Sequence, residues 1–461
     1  MTRSKDIRMA LVKNKHALLS HGNVEGRKIV LDIIEYTLKS VDAYDLVRGV
    51  VFVEGQTLSI NRLKYDLSRI RNIYVVGAGK GSVRIAEALE DILGNRISAG
   101  IIIEKRGQGR KLSMIKVVEG GHPIPDGAGL EAAKEVVEIA KRAQDGDLII
   151  ACITGGCSAL MPLPAEGISL DDKRIVTDLL LKCGATIDEI NAVRNHISAI
   201  KGGRLAMYAH PAEIVNLVLV DEVAGLPWGP MVPDPTTFVD AVRVLKKYRL
   251  WEKVPDSVRR HLEMGLSDQR METPKPEDFE RLKVHNVVLA SIEIACEAAK
   301  KRAEELGLNS MILSTMMEGE SREVGIVLAS IAKEVEKKCR PIKPPCALIA
   351  GGETTVTITD HCGEGGPSQE LALSSSLKIH KSKKIVIASI DTDGTDGPTD
   401  VAGGIVDGYT LDRAKEKGID VYENLMKHAS SRVLKGLEDV IITGPTGTNV
   451  ADLNVVVVDE L

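Results

Sequence analysis

Apolar positions along this chain fall into short Val/Ile-rich runs, each closed by a glycine-bearing loop and followed by a stretch of helical period. The runs lie at 72–82 (NIYVVGAGKGS), 99–107, 147–159 (DLIIACITGGCSA), 214–223, 346–355, 384–394 (KIVIASIDTDG) and 439–449 (DVIITGPTGTN). Because they are apolar throughout rather than alternating, they predict strands covered on both faces, as in a parallel sheet. Between them SVRIAEALEDIL, GLEAAKEVVEIAKRA and VHNVVLASIEIACEAAKKRAEEL predict helices, and DEINAVRNHISAIKGGRLA (188–206) predicts another. In the last, Ile190, Val193, Ile197 and Ile200 form the buried stripe and Asp188 is the expected N-cap. The pattern is α/β. A polar, proline-dotted stretch at 267–282 marks a boundary, so two α/β domains, 1–280 and 281–461, are expected with a cleft between them. Ligands of open parallel sheets bind outside the carboxyl ends of strands, where the glycine loops stand.

Composition changes this picture mainly by exclusion. The 461 residues are 44% hydrophobic and 27% charged, ordinary for a globular protein with a full core. A net charge of −5 with only 3% aromatic residues argues against broad nucleic-acid binding and against a base-stacking platform. No run of about 18 apolar residues is present, so no membrane span is expected. The seven cysteines include no C-x-x-C pair, which leaves zinc fingers and a disulfide framework without support and makes a reduced, cytoplasmic setting the expectation.

The loops carry the candidate chemistry. GAGKGS (77–82) turns tightly after a strand and opens a helix, so its amides could cradle an anion beside the cation of Lys80. The alternative is a tight turn with a solvated lysine. The loop is neither a Walker A motif, since Tyr74 and Gly81 stand at two of its required positions, nor a complete dinucleotide fingerprint, since Ser82 replaces the last glycine. Glu104 could mimic a ribose-binding acid, but Lys105 and Arg106 follow it at once. TGGCSAL (154–160) reads as a second cradle through Gly156 and Ser158, with a nucleophilic Cys157 or Ser158 as the alternative. Arg194, Lys201 and Arg204 could clamp a carboxylate or phosphate, or form a solvated basic face; His196 lies off their face and reads as structural. GGHPIPD (120–126) and VPDPTTF (232–238) read as rigid loop walls. IDTDGTDGPTD (390–400) is acidic but not an EF-hand, because Thr395, Asp396 and Ala402 occupy positions that motif reserves for other residues. TGPTGTN adds a last Gly/Thr loop, with Asn449 and Asp452 in reach. Several anion cradles and one acidic loop is the balance expected where Mg²⁺-phosphate meets protein.

In order, VVGAGKGSVRIAEAL, EGGHPIPDGAGL, TGGCSALMPLP, INAVRNHISAIKGGRLA, VPDPTTF, AGGETTVTI, GGPSQELAL, DGTDGPTDVAGGIVDG and TGPTGTNVADL resemble the class II glycerate kinase family, whose second domain is called MOFRL. The resemblance runs from roughly residue 25 to the C-terminus. It implies a larger Rossmann-like parallel-sheet domain, a smaller α/β domain, an active site in the cleft between them, and phosphorylation of D-glycerate to 2-phosphoglycerate from ATP with Mg²⁺. It puts Lys80 at the family's essential lysine. The family's GGRNQE reads GGPSQE here, with Pro367 for the arginine, and its SDVxGD reads DEVAGL, with Leu226 for the second aspartate.

The expected site follows from the loops and the resemblance together. Lys80, Asp393 and Asp396 are the catalytic residues. Gly156, Ser158, Arg194, Lys201 and Arg204 hold the substrate. Gly77, Gly79, Gly81, Ser82, Gly444, Thr446 and Asn449 hold the nucleotide, and Asp391 and Asp221 the metal. Asp400 reads as structural. An NADPH-dependent hydroxypyruvate reductase is the alternative function, and a non-catalytic metal-binding module the third. The expected partner is a small molecule, with no nucleic acid and no membrane, acting on a monomer or homodimer.

Overall fold

The computed structural model describes residues 11–107, 109–220, 228–358 and 362–460, which form two compact units. Residues 43–220 and 228–289 make one; residues 11–42 and 290–460 make the other. The expected single cut at 280/281 therefore misses that the N-terminal segment joins the C-terminal unit. Among the described residues no helix is long and apolar enough to cross a membrane, and the seven cysteines are free thiols.

The first unit begins with an antiparallel three-stranded sheet, β1 (Val51–Glu54), β2 (Thr57–Ile60) and β3 (Leu63–Asp66). Its main sheet contains β4 (Ile73–Ala78), β5 (Ile97–Lys105), β6 (Lys116–Gly120), β7 (Leu148–Ile153), β8 (Glu213–Leu219) and β9 (Val284–Ala290), in the order β6-β5-β4-β7-β8-β9. Strands β4 to β8 pair in parallel. Every residue of β4 and β7 is buried, as continuous apolar runs under helices on both faces require. From β4 the chain builds outward through β5 and β6, then crosses back to β7 on the other side. The carboxyl ends of β4 and β7 thus flank the topological switch point, where open sheets bind ligands.

The second unit holds β10 (Asn309–Met317), β11 (Cys346–Gly352), β12 (Ile385–Asp391), β13 (Gly403–Asp407), β14 (Val440–Ile441) and β15 (Asp452–Val458), in the order β10-β11-β15-β12-β13-β14. Only β10 and β11 pair in parallel; the other four pairings are antiparallel. The parallel expectation fails here because burial on both faces, not strand direction, makes a run apolar. Helices cover both faces: Ile292 packs against Gly351 and Val386 against Gly26 on one, while the opposite face joins Leu348, Ile387 and Val456 to Ala329, Ala332 and Leu373.

Three expected elements are corrected. The predicted helix over 284–306 is strand β9 followed by the helix Ile292–Glu305. VHNVVLA is rich in β-branched residues, and Ser291 caps the helix by accepting the Ile294 N–H. The predicted helix over 188–206 is Ile187–His196, a turn, and Arg204–Ala209. Its N-cap is Thr186, in a capping box with Glu189, not Asp188. The first helix has ended at His196, and Gly202 and Gly203, at φ +59° and +82°, close the turn before Arg204, while Ile190, Val193, Ile197 and Ile200 remain buried. At 439–449 only Val440–Ile441 is extended; the long last strand is β15, which begins after the Gly/Thr loop.

Candidate functional site

In the first unit, the loops after β4 and β7 are pressed together. A Cβ on Gly77, within β4, would overlap the carbonyl of its β7 partner Cys152, and one on Gly79, in the loop that follows, would overlap Thr154. Close approach of the two strand ends and of the loops after them is thus what these glycines permit. The helix start they lead into is already occupied. Glu104, at the end of β5 and fully buried, accepts hydrogen bonds from the amides of Gly81 (3.3 Å), Val83 (3.1 Å) and Lys105 (3.1 Å). Burial pushes its carboxyl up to about 7, against the pull of those amides. Ser82 turns its hydroxyl back to the Gly79 carbonyl at 2.8 Å. Of the nucleotide cradle expected at Gly77, Gly79, Gly81 and Ser82, the Gly81 amide goes to Glu104, the Gly79 amide to the Ile103 carbonyl and the Ser82 amide and hydroxyl to the Gly79 carbonyl.

Lys80 lies at the rim of this packing. Its amide donates to the Gly155 carbonyl at 2.7 Å, while its side chain stays partly exposed. A Cβ on Gly156 (φ +83°) would sit 2.9 Å from His122 and 3.4 Å from the Lys80 stem, so a glycine there lets both side chains converge. Next in the chain, the Ser158 hydroxyl accepts a short hydrogen bond from the Lys201 ammonium. Lys201 is held by its turn, where Ser198 accepts the amides of Ile200 (3.4 Å) and Lys201 (3.3 Å). Arg194 reaches the same place from the helix Ile187–His196; burial lowers its pKa and the neighbouring Cys157 opposes that. Among the described residues Arg194 has no carboxylate partner. The structure thus gathers Lys80, Gly156, Ser158, Lys201 and Arg194, and adds Lys173, which the sequence reading passed over.

Arg204 goes elsewhere. Its guanidinium donates to the Met271 carbonyl at 2.6 Å, beside a brace in which His196 bonds Ala192 O and Glu272, both at 2.7 Å. The expected three-cation face is corrected to two cations at the site and one in the brace. His196 is fully buried in that brace.

In the second unit the acidic loop and the Gly/Thr loop form one corner. A Cβ on Gly394 would overlap the Gly444 carbonyl, and the Thr446 amide donates to Asp393 O at 3.1 Å. Asp391 ends β12, its register partner Asp452 begins β15, and the carboxylate of Asp391 accepts the Asp393 amide at 2.9 Å. Asp393 in turn accepts the amide and hydroxyl of Thr395 at 2.6 and 2.7 Å. Asn449 is buried beside them. The Lys13 ammonium lies over Gly444.

Asp396 leaves this group. Its two oxygens accept the amides of Ser368 (3.0 Å) and Gln369 (2.8 Å) and the Gln369 side chain (2.9 Å), so it caps the helix Pro367–Ile379 across the chain. Burial raises its pKa to about 6. Asp400, expected to be structural, has its side chain 89% exposed, with Lys435 at 3.6 Å. Asp221 lies outside the described residues, as does Leu226.

Burial, with Glu353, Asp391 and Asp396 nearby, holds the Asp452 carboxyl well above the usual range. On the same sheet face, paired in register, lie Ser389 and Asn454. The Ser389 hydroxyl and both side-chain atoms of Asn454 are buried without partners among the described residues. Among those residues no three His, Cys, Asp or Glu side chains stand in a metal-holding group.

A family model described as a domain of unknown function, DUF4147, matches residues 29–263, and a MOFRL family model matches residues 346–452. The chain is 45% identical to the glycerate 2-kinase of Pyrococcus horikoshii over 94% of its length and 97% of the relative's. It is 38% identical to the D-glycerate 2-kinase of Thermotoga maritima, over 93% and 97%. A crystal structure of a Thermotoga maritima glycerate kinase superposes with a TM-score of 0.77 at 36% identity, covering 94% of this chain and 99% of that one.

Proposed function

The chain belongs to the glycerate kinase family with a C-terminal MOFRL domain, and from that premise we propose that it transfers the γ-phosphoryl group of ATP directly to the C2 hydroxyl of D-glycerate. The observation that carries this reading is the group of cations, Lys80, Lys201 and Arg194, around Gly156 and Ser158 at the switch point of the parallel sheet. Phosphoryl transfer needs positioning and neutralised charge more than a covalent nucleophile. Lys201 with Ser158 and Arg194 hold the anionic acceptor, and Lys80 offsets charge on the transferring group.

The nucleotide reading moves to the Gly/Thr loop, where Gly444, Thr446 and Asn449 adjoin Lys13 and the acidic loop. Of the aspartates expected to act on the hydroxyl, Asp396 is committed to its helix start, which leaves Asp393. The orphaned polar atoms of Ser389 and Asn454 beside Asp391 and Asp452 fit a hydrated cation. A pair of carboxylates, not a three-ligand cage, is what Mg²⁺ asks of a kinase, because substrate phosphates and water complete its shell. Asp391 and Asp452 are the residues that would hold it; when bound it neutralises phosphate charge.

The reductase alternative needs a pyrophosphate at the start of the helix Ser82–Leu93, and Glu104 occupies that place. The test incubates the protein with D-glycerate, ATP and Mg²⁺ and resolves 2- from 3-phosphoglycerate by ³¹P NMR, with hydroxypyruvate and NADPH in a parallel reaction. 2-Phosphoglycerate and no NADPH oxidation are expected. ADP release without phosphoglycerate would overturn the proposal.

A further inference from the structure

The helix Leu170–Lys182 buries three side chains, Lys173, Val176 and Leu180. Their spacing is that of an apolar stripe, so Lys173 occupies a core position. It is 3% exposed, and lysine is almost never buried to that degree without a counter-charge. Yet among the described residues its ammonium meets only the Leu163 carbonyl, at 3.4 Å. An ammonium has three donors, so the described residues meet only part of its bonding capacity. The charge that acts on it most strongly is Arg194, of the same sign, and Arg194 likewise has no carboxylate partner among the described residues. Buried Lys173 beside the half-buried Arg194 is an arrangement that a bound anion relieves. The guanidinium supplies a planar fork and the ammonium a point charge, a pair suited to a carboxylate.

We infer that Lys173 is a specificity-determining residue that, with Arg194, takes the carboxylate of the acceptor and so restricts the enzyme to hydroxy acids. This rests on the kinase reading for its reaction, but not for its binding step. Among the described residues the charged and titratable groups that act on Lys173 are Arg194 on the helix Ile187–His196 and Cys157 on the short helix Cys157–Leu160. Its neighbours Asp172 and Arg174 face away, to Ser257 and to Pro125 O. Burial, then Arg194, lower the Lys173 pKa to about 7. Free enzyme therefore loses this charge as pH rises past 7, and affinity for the acceptor falls with it, while affinity for ATP does not.

The experiment compares wild type with Lys173→Met and Lys173→Gln. D-Glycerate binding is measured by calorimetry without nucleotide at pH 6 and pH 8.5, with glycerol as the carboxylate-free control, and KM values are taken for both substrates. Methionine fits an apolar stripe, so K173M is expected to fold with a raised melting temperature. D-Glycerate affinity should drop tenfold or more at pH 6 and lose its pH dependence, with KM for ATP changed less than twofold. An active K173M with wild-type glycerate affinity overturns the inference and leaves the kinase reading standing. So does an equal loss for ATP, which a merely structural role would produce. Lysine-dependent glycerate binding by a protein that makes no phosphoglycerate sustains the inference and removes the kinase reading.

Discussion

Glu104 and Lys173 are buried ionisable groups of opposite sign, and each reports on what its surroundings lack. Glu104 has its donors inside the protein, three backbone amides; Lys173 has a single carbonyl. The Glu104 carboxyl moves from 4.5 to about 7 through burial. The folded state therefore keeps a proton that the unfolded chain has released between those values. Its contribution to stability is present below pH 4.5 and lost as pH rises through 7, at most about 3 kcal/mol. Urea denaturation at pH 5 and pH 8 should show that loss in wild type and not in Glu104→Gln; equal slopes would refute the assignment. Lys80 contrasts with both, because its backbone carries the structural bond and its side chain is partly exposed. Lys80→Ala is expected to leave the melting temperature unchanged and to reduce kcat by about 10²-fold or more; near-normal turnover with an intact fold would exclude its role. At this scale the sequence singles out Lys80, Ser158, Lys201 and Arg194, which the structure brings together, because glycine loops and spaced cations are local signals. The sequence does not single out Lys173. Within DDKRIV it reads as one more solvated charge, and only the packed stripe of its helix shows that it points inward.

Elements repeat the lesson with different physics. The helix Pro367–Ile379 begins GGPSQE, and where its first amides go is set by Asp396, almost thirty residues on. No local capping rule finds a cap from another segment. Asp396→Ala removes three hydrogen bonds from a buried helix start and should cost about 2–4 kcal/mol, read as a lowered denaturation midpoint. A midpoint within about 0.5 kcal/mol of wild type would show that the cap is dispensable. Strands β4, β5, β7, β8, β11 and β12 and the helix Ser82–Leu93 were legible because period and glycine punctuation agreed there. The runs 284–306 and 188–206 misled for separate reasons. In the first, a β-branched strand abuts a helix with a lone serine between them. In the second, buried apolar spacing continues through a turn fixed by paired glycines. Strand direction in the second sheet was illegible in principle, since a strand helix-covered on both faces is apolar whichever way it runs.

For the whole molecule, the consequential feature is that one folding unit is assembled from both ends of the chain. Arg27, on the helix Val24–Ser40, is fully buried and pairs with Asp407 at 2.6 Å and Asp439 at 2.8 Å. His21 reaches Asp439 at 2.9 Å, Arg413 binds its other oxygen, and the Asn23 amide donates to Asp407 at 2.9 Å. Burial alone would raise the Asp439 pKa, but Arg27, His21 and Arg413 hold it below the usual range. Asp407 ends β13 and Asp439 directly precedes β14, so the N-terminal segment supplies counter-charge to carboxylates that the C-terminal sheet buries. Arg27→Met would take from the buried Asp407 its arginine and leave Asp439 to His21 and Arg413, a loss of about 3–5 kcal/mol. A fragment from residue 285 onward would lose more, because the sheet face that holds Val386 would also lose the helix bearing Gly26. Residues 285–461 expressed alone should therefore show no cooperative thermal transition by circular dichroism. Restoring residues 1–42, by co-expression or through a flexible linker in place of residues 43–284, should recover one. A cooperative transition in the bare fragment, at the midpoint of the restored form, would mean that the N-terminal helix decorates this unit and does not complete it.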